Sequence, residues 1–182
     1  MYTVFNKIDF TSLCVNGERI QLRSLNEKYA TDIFREFTPE ITHYMMPKSA
    51  DDISETMAFI NISQQGMKNG NDLVFVILNK NTEEFLGCCG LHGRSGYQTP
   101  ELGIWLKKSA HGNKYGREAI VTLVNWAISN MHIDYFIYPV DRANISSRKI
   151  AEFLGGIIYQ EKKVQTMSGS ILDEVVYKLK PT

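Results

Sequence analysis

Three strand-like segments follow one another in the middle of the chain, and the last runs through a basic loop into an amphipathic helix. Residues 73–78 (Leu-Val-Phe-Val-Ile-Leu) are an unbroken apolar run between Asn71-Asp72 and Asn79-Lys80-Asn81, the pattern of a strand covered on both faces. Residues 85–91 follow across a short polar turn and are expected to pair with them as a hairpin. Residues 101–106 (Glu-Leu-Gly-Ile-Trp-Leu) read as the next strand. A helix is expected over 114–130, where Ile120, Leu123, Val124, Ala127 and Ile128 fall on one stripe at helical spacing.

The flanks extend this pattern. Residues 18–23 alternate polar and apolar as a half-buried strand does, and Asn26 can cap a helix through Tyr29, Ile33, Phe34 and Phe37 that Pro39 stops. A second helix is expected from about 49–52 to the Gly66–Gly70 region. Beyond the central helix come a strand at 133–140, a short helix over 144–154 ended by Gly155-Gly156, and closing strands at 157–165 and 171–179. The expected order is β-αα-βββ-α-β-α-ββ. It describes an α/β (α+β) chain with a mixed, mostly antiparallel sheet flanked by helices, in a single domain over 1–182 with 1–17 as an N-terminal extension.

Composition removes several function classes. Formal net charge is zero and the pI about 6.9, which argues against general nucleic-acid binding, since that needs a broad basic face. No apolar run approaches a membrane span. Cys14, Cys88 and Cys89 make an odd count with two adjacent, which suits a reducing, cytoplasmic setting, and no zinc spacing occurs. Cys88 and Cys89 must point to opposite faces of a strand, and buried, inert thiols are the expectation for both.

Against that neutral background, Lys107, Lys108, His111, Lys114 and Arg117 occur together with no acid until Glu118. The loop opens a helix, where unpaired N–H groups and the helix dipole favour an anion. A small polyanion is the expected ligand. A solvated basic turn is the plainer alternative for the same stretch.

Two motifs carry a resemblance. Glu101, Gly103, Trp105 and Leu106 are followed by Gly112, Tyr115, Gly116, Glu118 and Ala119; Asn144, Ser147 and Gly155 come later at the matching separation. From residue 18 onward the chain resembles the GNAT superfamily of acyl-CoA-dependent N-acetyltransferases. It is most similar to the branch of ribosomal-protein N-terminal alanine and serine acetyltransferases. The resemblance implies an acetyl-CoA-dependent N-acetyltransferase acting on a primary amine by direct attack in a ternary complex. A non-catalytic acyl-CoA-binding regulator of the same fold is the alternative, and a homodimer is compatible with the family.

The resemblance also implies site residues. Leu106, Lys107, His111, Gly112, Asn113, Lys114, Tyr115, Gly116 and Arg117 would hold the cofactor, its pyrophosphate on the loop amides. His111 stands where the family has Gln or Arg, and Lys114 where it has the first glycine. That side chain is harmless in a right-handed residue and unfavourable at positive φ. Asn144 would bond the pantetheine arm, and Ser147 would sit near the sulfur, where a hydroxyl could protonate or hydrogen-bond the departing thiolate; both also suit the first turn of a helix, as cap and third residue. Glu101 is the candidate base, with an exposed or ion-paired strand residue as its other reading, and a backbone N–H near Leu106 the candidate oxyanion donor. His43, Tyr44, Met45 and Met46 fall where the branch lines its acceptor site, with packing the expectation for the two methionines. His92 with Arg94 could reach the acceptor side, and packing is expected of Tyr159 and Tyr177. The acids Asp51, Asp52, Glu55, Asp173 and Glu174 could attract a cation.

Overall fold

The computed structural model describes residues 1–181. Strand β3 (Asp72–Asn79) has all six residues from Leu73 to Leu78 buried, because helices cover both faces of the sheet there. Leu73, Phe75 and Ile77 pack to one side with the core that includes Ile120, Leu123 and Ala127. Val74, Val76 and Leu78 pack to the other, with Tyr29, Ile33 and Ile60. The apolar run thus separates into two half-cores by strand alternation.

The remaining strands are β1 (Cys14–Asn16), β2 (Ile20–Ser24), β4 (Phe85–His92), β5 (Glu101–Leu106), β6 (Phe136–Asp141), β7 (Ile157–Gln165) and β8 (Ile171–Leu179). They form one sheet in the order β1-β2-β3-β4-β5-β6-β8-β7. Every neighbouring pair is antiparallel except β5 and β6, which run parallel. The helices are α1 (Ala30–Glu36), α2 (Ile53–Asn69), α3 (Tyr115–Asn130) and α4 (Ile145–Phe153). Helices α1 and α2 lie on one face of the sheet, α3 and α4 on the other, as the two half-cores require.

Several boundaries differ from expectation for identifiable reasons. The strand placed at 18–23 is Ile20–Ser24, and the short β1 precedes it. The helix expected from Asn26 is a 3-10 turn (Glu27–Tyr29) leading into α1; Asn26 accepts the Lys28 N–H as expected of a cap, but in the turn. The strand expected from 133 begins at Phe136, because the N–H of Asp134 bonds the Gln98 carbonyl in a loop and does not join the sheet. At the termini of α4, Asn144 and Leu154 are caps. Helix α2 starts on Asp52, whose carboxylate accepts the Ser54 N–H at 2.8 Å. Among the described residues, no helix is long and apolar enough to cross a membrane.

Candidate active site

The parallel strands β5 and β6 meet at a single register pair, Glu101 with Ile137, where the Ile137 N–H bonds the Pro100 carbonyl at 2.9 Å. Beyond it they part. On its other side β5 stays paired with β4 along its whole length, and the Lys107 N–H continues the ladder to the Leu86 carbonyl at 2.8 Å. Strand alternation then aims the N–H groups of Ile104 and Leu106 away from β4, into the wedge opened by β6. Backbone donors left open between two strands are a template for an extended ligand.

The wide end of the wedge faces the loop before α3. His111 Nε2 lies 3.0 Å from the Leu106 carbonyl and donates to it, and the Asn113 amide donates to the His111 carbonyl at 3.0 Å. Gly112 has φ 79°, and a side chain there would meet nothing within 4 Å, so glycine serves backbone conformation and not space. Lys114 has φ 64° and ψ 11°: the left-handed alternative holds, not the right-handed one. Among the described residues no side chain caps α3, and its first internal bond runs from the Glu118 N–H to the Lys114 carbonyl. The N–H groups of Tyr115, Gly116 and Arg117 are therefore the orphan donors of this helix end.

The basic cluster disperses once folded. Lys107 is buried, its ammonium 2.7 Å from Glu84. Lys108 pairs with Glu40, which lowers the carboxyl's pKa. The Arg117 guanidinium lies over the Phe153 ring, 4.3 Å from its centroid. Lys114 has no ion-pair partner among the described residues, so its ammonium is open to a ligand. Glu118, which closes the basic stretch, holds β2: its carboxylate accepts the Arg19 N–H at 2.6 Å, Arg19 Nε at 2.9 Å and the Ile20 N–H at 3.2 Å.

Across the wedge, Asn144 accepts the Ser147 N–H at 3.2 Å, so the capping use is real. Its amide NH2 has no partner among the described residues, which leaves it free to bind a ligand as well. Ser147 Oγ lies 2.9 Å from the Tyr138 hydroxyl. Burial pushes the Tyr138 phenol up to about 12, against the opposing effect of the Ser147 hydrogen bond. Tyr138 was not among the sequence candidates; it lies inside an apolar strand, and its pairing with Ser147 appears only when α4 packs on β6.

Glu101, Gly103 and Trp105 point to the α1/α2 face. Glu101 lies 3.9 Å from Arg94 and opposite His92. Trp105 packs against Phe37 and Phe85 with ring centroids 4.8 and 5.8 Å apart, as a wall residue. The two cysteines fall into opposite half-cores, where burial raises both thiol pKa values. Tyr177 is buried, hydrogen-bonded to Arg148 and Glu152, whereas Tyr159 is exposed rather than packed. On the same face as Glu101, a cavity of about 610 Å³ opens between the residues after α1 and the start of β8, lined in part by His43, Tyr44, Asp51, Asp141 and Leu172. Met46 is 46% exposed and does not join the core as expected.

Residues 19–157 match the sequence model of the family described as acetyltransferase (GNAT) domain. The chain is 24% identical over 173 residues to the uncharacterised N-acetyltransferase p20 of Bacillus licheniformis, covering 89% of this chain and 93% of that one. Its fold is similar to that of the microcin C7 self-immunity acetyltransferase MccE, solved with acetyl-CoA and AMP: TM-score 0.81, 21% identity, 93% of this chain and 96% of that one. It is also similar to the Salmonella typhimurium acetyltransferase that modifies the N-terminal serine of ribosomal protein L7/L12, with TM-score 0.80, 14% identity, and 92% and 99% of the two chains covered.

Proposed function

Because the chain belongs to the GNAT acetyltransferase family, as an acetyl-CoA-dependent N-acetyltransferase, we propose that it acetylates a primary amine by direct attack in a ternary complex. The acceptor is a protein N-terminus or a small-molecule amine. The observation that carries the reading is the parting of β5 from β6 beyond Glu101 and Ile137, which leaves a slot ending at the uncapped start of α3.

The residues present fit acetyl-CoA, which supplies the acetyl group as a thioester. Gly103 to Lys107 spans about 13 Å at ~3.3 Å per residue, room for an extended arm beside open amides. The orphan N–H groups of Tyr115, Gly116 and Arg117, with the Lys114 ammonium, would hold the pyrophosphate, and the free Asn144 amide would bond the arm. The Ile104 and Leu106 N–H groups stand ready for the arm and for the charge that grows on the acetyl oxygen. Holding both reactants supplies much of the rate. Glu101 draws the ammonium form of the acceptor to the closed end of the wedge, and Ser147, bonded to Tyr138, gives a proton to the departing sulfur. The acceptor enters through the cavity beside His43 and Asp141.

Isothermal titration with acetyl-CoA, CoA and NAD tests the reading, followed by free-thiol detection with a serine-initiated peptide, spermidine and tobramycin as acceptors. Saturable binding of acetyl-CoA but not NAD, with thiol release by one amine, is expected. Absence of acetyl-CoA binding would overturn it.

A further inference from the structure

Asp72, His92 and Glu101 form one row across three adjacent strands. In the sheet register Asp72 stands opposite His92, and His92 opposite Glu101, while Glu101 is also the residue where β5 meets β6. The row therefore crosses the closed end of the wedge. His92 Nδ1 lies 2.7 Å from Asp72 Oδ1. The other ring nitrogen reaches toward the diverging part of β5: a Cβ on Gly103 would stand 2.9 Å from Nε2, and one on Gly90 would stand 3.1 Å away. Two glycines thus make the bed on which the ring lies. Nε2 has no hydrogen-bond partner among the described residues.

An imidazole that donates Nδ1–H to a carboxylate carries its lone pair on Nε2. Arg94 lies 3.9 Å from Glu101, and the Asp72 charge acts on Tyr2, whose ring meets that of Tyr97 edge to face at 5.5 Å. The Tyr2 hydroxyl is buried without a partner among the described residues; burial first, then the Asp72 charge, raises its pKa, so it stays protonated. Resting on the acetyl-CoA site described above, we propose that His92, its tautomer held by the positioning residue Asp72, is the base that takes the acceptor's proton, while Glu101 draws in the cation.

The acceptor arrives as an ammonium and passes one proton to His92 Nε2. The freed lone pair forms the C–N bond to the acetyl carbon as the C–S bond breaks. The nitrogen loses a second proton to solvent, and the sulfur takes one from Ser147, which solvent replenishes. Ammonium and thioester become amide, thiol and one net proton.

Two measurements decide it. In the acetyl-CoA-free protein, 15N NMR of the four histidines, assigned through His92→Gln, should show His92 as the Nδ1–H tautomer, lost in Asp72→Asn; an Nε2–H tautomer in the wild type overturns the assignment. With the amine accepted in the panel, His92→Gln should bind acetyl-CoA within about twofold of wild type in titration. Its kcat/KM should fall about 10²–10⁴-fold, with loss of the limb of the pH profile set by the base. Glu101→Gln should keep that limb and raise KM for the amine. Unchanged acetyl-CoA binding with an unchanged pH profile in His92→Gln overturns the role of His92 alone. A wild-type protein that binds no acetyl-CoA overturns the site and this assignment together.

Discussion

The Tyr138 hydroxyl and Ser147 Oγ, 2.9 Å apart, tie β6 to the first turn of α4. Ser147→Ala should leave the phenol buried and unpaired, at a cost of about 1–3 kcal/mol. Adding Tyr138→Phe should recover part of that loss, so the double variant is more stable than Ser147→Ala alone. Chemical denaturation of the three variants checks this. Turnover gives a separate readout: Ser147→Ala should lower kcat with little change in acetyl-CoA affinity.

Lys114 adopts φ 64°, a conformation that costs a residue with a Cβ about 1 kcal/mol. Lys114→Gly removes that cost but loosens the unfolded chain, so a gain of up to about 1 kcal/mol is expected. Lys114→Ala keeps the backbone cost and should not stabilise. Both variants lose the ammonium, and both should bind acetyl-CoA more weakly, most clearly at low ionic strength. Thermal melts and titrations at two salt concentrations separate the effects.

Glu118 joins the first turn of α3 to the start of β2 through three donors, and its side chain is 16% exposed. Glu118→Ala should cost about 2–3 kcal/mol, because charged hydrogen bonds are lost and backbone donors are left unpaired. Denaturant unfolding measures it. A loss below about 0.5 kcal/mol would mean water replaces the carboxylate freely.

Asp52 and Asp9 both have lowered pKa values, caused first by hydrogen bonds from the hydroxyls of Ser54 and Thr11 respectively. A carboxylate whose folded pKa is depressed adds stability above its unfolded pKa, and that contribution disappears as pH falls through the folded value. Stability should therefore decline as pH drops below about 4. Asp52→Asn keeps an acceptor for the Ser54 N–H but does not titrate, so its acid limb should be shallower than that of the wild type. Unfolding midpoints measured between pH 2 and pH 7 provide the comparison.

Local signals made β5, β7 and β8 readable at their observed bounds: β5 is largely apolar, and β7 and β8 flank the turn at 167–170, with Gly155-Gly156 before β7. The loop before α3 was legible as a basic, glycine-bearing turn opening a helix, because bases and glycines cluster there. What each base touches was not legible: Glu84, which holds Lys107, lies 23 positions away and is brought close only by the β4–β5 pairing. Asp72 and His92 are likewise 20 positions apart. The backbone handedness of Lys114 left no trace in residue type, since lysine is the residue one would not choose there. The break at 133–135 depended on loop partners for backbone N–H groups, which no propensity encodes.

The lone meeting of Glu101 with Ile137 also has a mechanical meaning. Five strands on one side and three on the other are two leaves of a sheet whose ladder is cut along most of β5. A molecule lying along Ile104 and Leu106 would act as a temporary ninth strand and restore continuity between the leaves. Occupancy and rigidity then become one quantity: amides that exchange freely with solvent in the open leaf slow when the slot fills, and the protein's resistance to unfolding rises with ligand concentration.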